Sequence, residues 1–142
     1  MDMLARREHS SRELEQKLLQ RFPGQLLMVR SVLSLLTEDG LQSDGRFAAS
    51  YCRSRISRGF GAERIFRELL QKGVSEEEAK SAIDDQGVDW NGLMSREFHK
   101  KCHGEAPESA AEKGRYMRFL HRRGFPASQV RRLVGSGSAG DE

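Results

Sequence analysis

The sequence predicts an all-α fold, an elongated tandem array of three-helix repeats with about eight to nine helices. Three observations carry that expectation. Apolar residues recur at three- and four-residue spacing, as Ile65, Phe66, Leu69 and Leu70 do, which puts them on one stripe of a helix. Glycines close these segments: Gly59 and Gly73 fall where a chain leaving a helix turns left-handed, a conformation glycine adopts without steric cost. The chain also resembles itself. Shifted by 65 positions, Tyr51 meets Tyr116, Arg53 meets Arg118, Gly59 meets Gly124, Phe60 meets Phe125, Ile65 meets Val130 and Leu69 meets Val134. Shifted by 51 positions the other way, Ile65 meets Leu14 and Leu69 meets Leu18, and Arg6-Arg7 coincides with Arg122-Arg123 across the outer copies. With 37% hydrophobic and 32% charged residues among 142, the composition is too polar for one thick core and suits half-exposed helices.

Taken in order, residues 1–42 form a first repeat shortened at its start, with a helix beginning in mid-element over residues 1–9. Ser10 and Glu13 stand at capping-box spacing and open a helix with Leu14, Leu18 and Leu19 inside. Phe22-Pro23-Gly24 ends it, since proline cannot continue a helix. Leu26 to Leu36 is the most apolar helix, closed by Gly40. A second repeat, 43–88, starts at a Ser43 or Asp44 cap and carries Phe47, Ala48, Tyr51, Cys52 and Ile56 at helical spacing. Ser75 opens its last helix with Glu78 three residues on, and Glu76, Glu77 and Glu78 favour the positive end of the helix dipole. The third repeat, 89–134, begins at Asp89 with Trp90, Leu93, Met94 and Phe98, and includes an extra helix and a linker near 103–108 bracketed by Gly104 and Pro107. A helix from Ser109 to Arg123, the Gly124-Phe125-Pro126 turn and a short helix to Val134 follow, and the Gly/Ser-rich 135–142 reads as a flexible tail.

Little in the chain points to chemistry. His99, Cys102 and His103 sit at i, i+3 and i+4 with zinc-ligand types, yet no second His/Cys pair supplies a fourth ligand. Gly59-x-Gly61 lacks the Lys-Ser/Thr ending of a phosphate-binding loop and serves as helix punctuation. His9 beside Ser10 has no acid partner for nucleophilic catalysis, and capping accounts for the serine. The expectation is therefore no enzyme, no cofactor and no metal. No apolar run reaches the roughly 18 residues a membrane span needs, there is no signal peptide, and two distant cysteines show no disulfide framework. These point to a soluble, monomeric cytoplasmic protein.

What stands out is charge. Asp44 to Gly73 holds seven basic residues against three acids, and Glu112 to Arg132 holds seven against one, while Ser75 to Asp85 is acidic. Arginine binds carboxylates and phosphates bidentately, so such a face suits an acidic protein groove or nucleic-acid phosphates. Tyr116, Phe119 and Phe125 fall on the buried stripe, so base stacking is not indicated.

The motifs together resemble a family. Leu4-Ala5-Arg6-Arg7-Glu8-His9-Ser10 with Glu13-Leu14 and Lys17-Leu18 is similar to the opening of the RecX regulatory proteins. So are Asp44-Gly45-Arg46-Phe47, Gly59-Phe60-Gly61, Arg64-Ile65, Glu68-Leu69, Gln71-Lys72-Gly73 and Asp89-Trp90. The tail adds Arg118-Phe119-Leu120, Arg122-Arg123-Gly124-Phe125 and Val130, so the likeness runs in order along nearly the whole chain. The resemblance implies tandem three-helix repeats and a negative regulator of RecA, which binds the RecA filament on single-stranded DNA and limits its growth or stability. ATP hydrolysis, strand exchange and coprotease activity would fall as a result, with weak direct DNA contact as a further expectation. Charge and position nominate Arg46, Arg53, Arg64, Arg67, Lys72, Arg118, Arg122 and Arg123 as the partner-binding residues. The alternatives are a helix-turn-helix-like nucleic-acid binder, with Arg64 and Arg67 toward a groove, or a helical scaffold for another partner.

Overall fold

The computed structural model describes residues 7–135, and every regular element in that span is an α-helix. In chain order they are α1 (Ser11–Arg21), α2 (Leu26–Glu38), α3 (Asp44–Ser57), α4 (Ala62–Gln71), α5 (Glu76–Asp85), α6 (Trp90–Lys101), α7 (Ala110–Arg123) and α8 (Ala127–Gly135). The expected opening helix and flexible tail fall mostly on residues 1–6 and 136–142, outside the described residues; residues 7–10 are not helical.

Helix starts follow the side chains that can satisfy free N–H groups. Ser10 accepts from the Glu13 N–H while Glu13 accepts from the Ser10 N–H, a complete capping box. Ser109 and Glu112 make a second one at α7. At α5 the exchange is partial, because Ser75 accepts from the Glu78 N–H but the Glu78 carboxylate takes the Ser75 hydroxyl instead of its N–H. Ser43 rather than Asp44 caps α3, accepting from the Arg46 N–H at 3.2 Å. Asp44 turns to the N–H of Ser11 and the amide of Gln42, both at 2.9 Å. Helix ends follow the glycines, with Gly59, Gly73 and Gly124 at φ of 85, 90 and 104°.

Two compact units divide the chain. One runs to Arg53 and includes Phe66–Gln86; the other takes Ser54–Ile65 and everything from Gly87 on. In the first, Leu14 and Leu18 of α1 close on Val29, Leu33 and Leu36 of α2. In the second, α6, α7 and α8 enclose Leu93, Met94, Phe98, Leu120, Phe125 and Val130. Burial of each such side chain contributes about 1.5–3 kcal/mol. Positions matched by the self-similarity share environments: Leu14 with Leu18, Ile65 with Leu69 and Val130 with Val134 are all buried, and Arg53 and Arg118 are both exposed. Two matched pairs differ: Phe125 is buried and Phe60 only half-buried, and Arg7 is exposed where Arg123 is half-buried. The apolar α2 is covered on one side only; Leu27 is 81% and Leu35 59% exposed.

The two units also repeat a small device. Arg12 donates to the carbonyl of Gln71 at 3.1 Å and its stem lies against Gly73. Arg64 donates to the carbonyl of Arg122 at 3.0 Å and lies against Gly124. In each case an arginine in the first turn of one helix takes a carbonyl two residues before the left-handed glycine ending another. A Cβ on either glycine would collide with that arginine.

Candidate partner-binding surface

In the unit formed by Ser54–Ile65 and the chain from Gly87, charge gathers around Phe60. The guanidinium carbons of Arg55, Arg64 and Arg123 stand 3.9, 4.4 and 4.6 Å from its ring centroid, within cation–π range. Arg123 spans two rings, 5.1 Å from Phe119 as well, and donates to the carbonyl of Arg58 at 2.6 Å. At the neighbouring Gly59, the carboxylate of the buried Glu97 fills the space a Cβ would take, and it is paired with Lys100 at 3.2 Å. Arg64 and Arg123, nominated from charge and position as partner-binding residues, are thus half-buried and hold backbone carbonyls.

Arg118 and Arg122 behave differently. They lie one turn apart on α7, both exposed, and Arg131 of α8 is exposed as well. Between Lys113 and Gly135 the sequence has seven basic residues and no acid. Among the described residues no carboxylate is paired with Arg118, Arg122 or Arg131.

In the other unit, Arg46 is paired with Glu8 at 3.1 Å, and Arg53 and Arg67 are exposed. Lys72 is half-buried, paired with Glu13 at 3.3 Å and poised 5.6 Å from the Tyr51 ring. Burial pushes the Glu13 carboxyl up. The hydrogen bond from Arg7, the Ser10 N–H and the charges of Arg7 and Lys72 outweigh it and hold the carboxyl below its usual range. The nominated residues therefore fall into three kinds: Arg53, Arg67, Arg118 and Arg122 exposed; Arg46 and Lys72 in ion pairs; Arg64 and Arg123 clamped on carbonyls. Arg64, Arg122 and Arg123 come together at one helix junction, and Arg46 and Arg53 lie on α3.

Two sequence expectations are corrected. His99, Cys102 and His103 do not share a helix face, because α6 ends at Lys101. Cys102 turns into the core, His103 takes a left-handed φ of 55°, and His99 faces the Ser95 carbonyl at 2.7 Å. Tyr116 and Phe119 are half-buried, with Arg115 and Lys101 over their rings, and only Phe125 is fully inside. Arg55, Phe60, Glu97 and Arg131 were missed as site residues. Phe60 already stood in the Gly-Phe-Gly run, which was the available signal.

The helices and this surface define a tandem helical-repeat protein with an arginine-rich, acid-free face. The family model of RecX, second three-helix domain, matches residues 43–83. The Regulatory protein RecX of Pseudomonas syringae pv. tomato is 39% identical over 143 residues, covering 100% of this chain and 90% of its own length. That of Halorhodospira halophila is 41% identical over 142 residues, covering 99% and 86%. Among solved structures, a crystal structure of regulatory protein RecX superposes with a TM-score of 0.75 at 23% identity over 94% of this chain and 66% of its own. RecX from Lactobacillus salivarius gives a TM-score of 0.70 at 17% identity, over 94% and 88%. At these identities the two structures speak for the fold. The chain belongs to the RecX family of regulatory proteins.

Proposed function

We propose that this chain restrains RecA by binding its filament on single-stranded DNA and limiting growth or stability. Loss of ATP hydrolysis, strand exchange and coprotease activity follows as a consequence. The observation that carries this reading is the acid-free face of α7 and α8 on a RecX-family chain, with exposed Arg118 and Arg122 whose side chains have no carboxylate partner among the described residues. Exposed guanidiniums in such a patch bind carboxylates or phosphates bidentately, and a filament offers both. The three-repeat division at 1–42, 43–88 and 89–134 belongs to the same reading: several weak modules engaged together give avidity beyond any one of them. Arg46, Arg53, Arg67 and Lys72 would serve the second module, and Arg118 and Arg122 the third, with Arg64 and Arg123 shaping the surface.

Co-sedimentation separates this from direct nucleic-acid binding. The chain should pellet with RecA filaments on single-stranded DNA and remain in solution with the same DNA alone at physiological salt. Equal retention by bare DNA, falling steeply as salt rises, would favour the nucleic-acid binder.

A further inference from the structure

Between α7 and α8 lies an open groove of ≈ 390 Å³ whose lining divides by chemistry. Met117, Ala127 and Val130 make an apolar floor, Arg118, Arg122 and Arg131 supply the cations around it, and His121 completes the lining. The three arginines are exposed, and no acid occurs in α7 beyond Glu112 or anywhere in α8. The groove combines an apolar seat with a cationic rim, and the two halves ask for different groups on one ligand.

We propose that this groove takes an acidic segment of a partner protein, with one aliphatic or aromatic side chain seated on Met117, Ala127 and Val130 and flanking carboxylates on the arginines. Phosphates alone would satisfy the rim and leave the floor exposed to water. The lining's one aromatic ring is the exposed imidazole of His121, a small platform for a base that makes no use of the three apolar side chains, so a nucleic acid uses part of the site. An acidic amphipathic segment uses all of it. Carboxylates meet guanidiniums in paired hydrogen bonds, and the flexible thioether of Met117 adapts to an anchor of either shape. The inference rests on the proposed function only in naming a protein partner, and its test needs no RecA.

The probe is a short fluorescein-labelled peptide of glutamates carrying one leucine and one phenylalanine, titrated with the full chain and read by anisotropy. A control peptide replaces both apolar residues by serine at equal charge, and an oligothymidylate of matched charge serves as competitor. The apolar peptide should bind about tenfold or more tighter than the serine control, a difference of about 1.4 kcal/mol. Ala127→Glu should abolish that preference. Ala127 is exposed in the first turn of α8, where an acid is favoured by the helix dipole, so this variant keeps its fold. A thermal melt matching the wild type establishes that. Equal binding of both peptides, displacement of both by the oligonucleotide with equal ease, no binding at all, or an Ala127→Glu variant that retains the preference would each overturn the groove. Inhibition of RecA by a chain that ignores the peptide overturns the groove alone. Peptide binding by a chain without effect on RecA overturns the regulatory reading alone.

Discussion

The backbone N–H of Gly61 donates to the carbonyl of Arg123 at 2.7 Å, so the start of α4 closes the end of α7. The N–H of Glu63 takes the carbonyl of Gly124 at 3.1 Å, and the Arg64 guanidinium takes that of Arg122. Free N–H groups of one helix thereby meet free carbonyls of another, with the positive dipole end against the negative one. Arg123 crosses the same junction in the other direction, to the carbonyl of Arg58. The arginine cluster around Phe60 is held in place by this backbone lock.

That lock leaves no room for a side chain at Gly61. A Cβ there would sit 2.5 Å from the Gly124 oxygen and 2.8 Å from the Phe125 ring. Gly61→Ala should lower stability by about 1–3 kcal/mol, the range for overpacking, read from urea unfolding. Gly40→Ala is the comparison: its Cβ meets nothing within 4 Å, so only its φ of 75° opposes the change. A Gly61→Ala loss no larger than that of Gly40→Ala would show the junction to be loose.

The arginines should separate into two classes on charge reversal. Arg118→Glu with Arg122→Glu touches exposed residues without ion pairs among the described residues, and should keep the helical circular dichroism and melting temperature. Filament binding should weaken by tenfold or more. Arg64→Glu with Arg123→Glu removes hydrogen bonds to two backbone carbonyls and should cost about 1–3 kcal/mol of stability as well. Comparable stability in both double variants would contradict the distinction.

Acid should weaken the fold in two stages. Burial, then the charges of Arg7 and Lys17, hold the His9 ring below its ordinary 6.5. Its Nδ1 lies 3.0 Å from the Arg7 carbonyl and its Nε2 3.1 Å from the Lys17 ammonium, which fits a neutral ring with the proton on Nδ1. The unfolded chain therefore binds a proton that the folded chain refuses. Stability is full above 6.5 and falls as pH drops from there to the lower folded value. Glu13, also depressed, contributes stability that is present above 4.5 and lost as pH falls through its folded value. Urea midpoints across pH should show both declines, with His9→Gln flattening the upper and Glu13→Gln the lower. Unchanged slopes in these variants would exclude the two groups as the source.

Cys52 should be inert in the native protein. It is fully buried, and burial pushes its thiol up to about 11 against a weak opposing pull from Arg53. Thiol reagent at neutral pH should label it only after unfolding in urea. Rapid labelling of Cys52 in the folded chain would mean the α3 core opens readily.

Gly59, Gly73 and Gly124 were legible because a helical period that stops at glycine leaves few other readings. Ser10 with Glu13 was legible because that exchange is local, spanning three residues. The Phe60 cluster was not, since its arginines come from α3, α4 and α7 and only packing brings them together. His99, Cys102 and His103 misled because helical spacing holds only inside a helix, and the left-handed His103 lies past its end. The periodicity of α2 marked it apolar but could not tell that Val29 and Leu33 are covered while Leu27 and Leu35 are not. Charge was readable at every nominated arginine; which ones spend it on a carbonyl depends on neighbours far along the chain.

The most direct test of the regulatory reading is the ATPase rate of RecA on single-stranded DNA with this chain titrated in. Inhibition should be complete well below one copy per RecA protomer, because a filament halted or shortened at a few positions loses many active subunits. An ATPase rate that holds steady at every ratio would contradict the account.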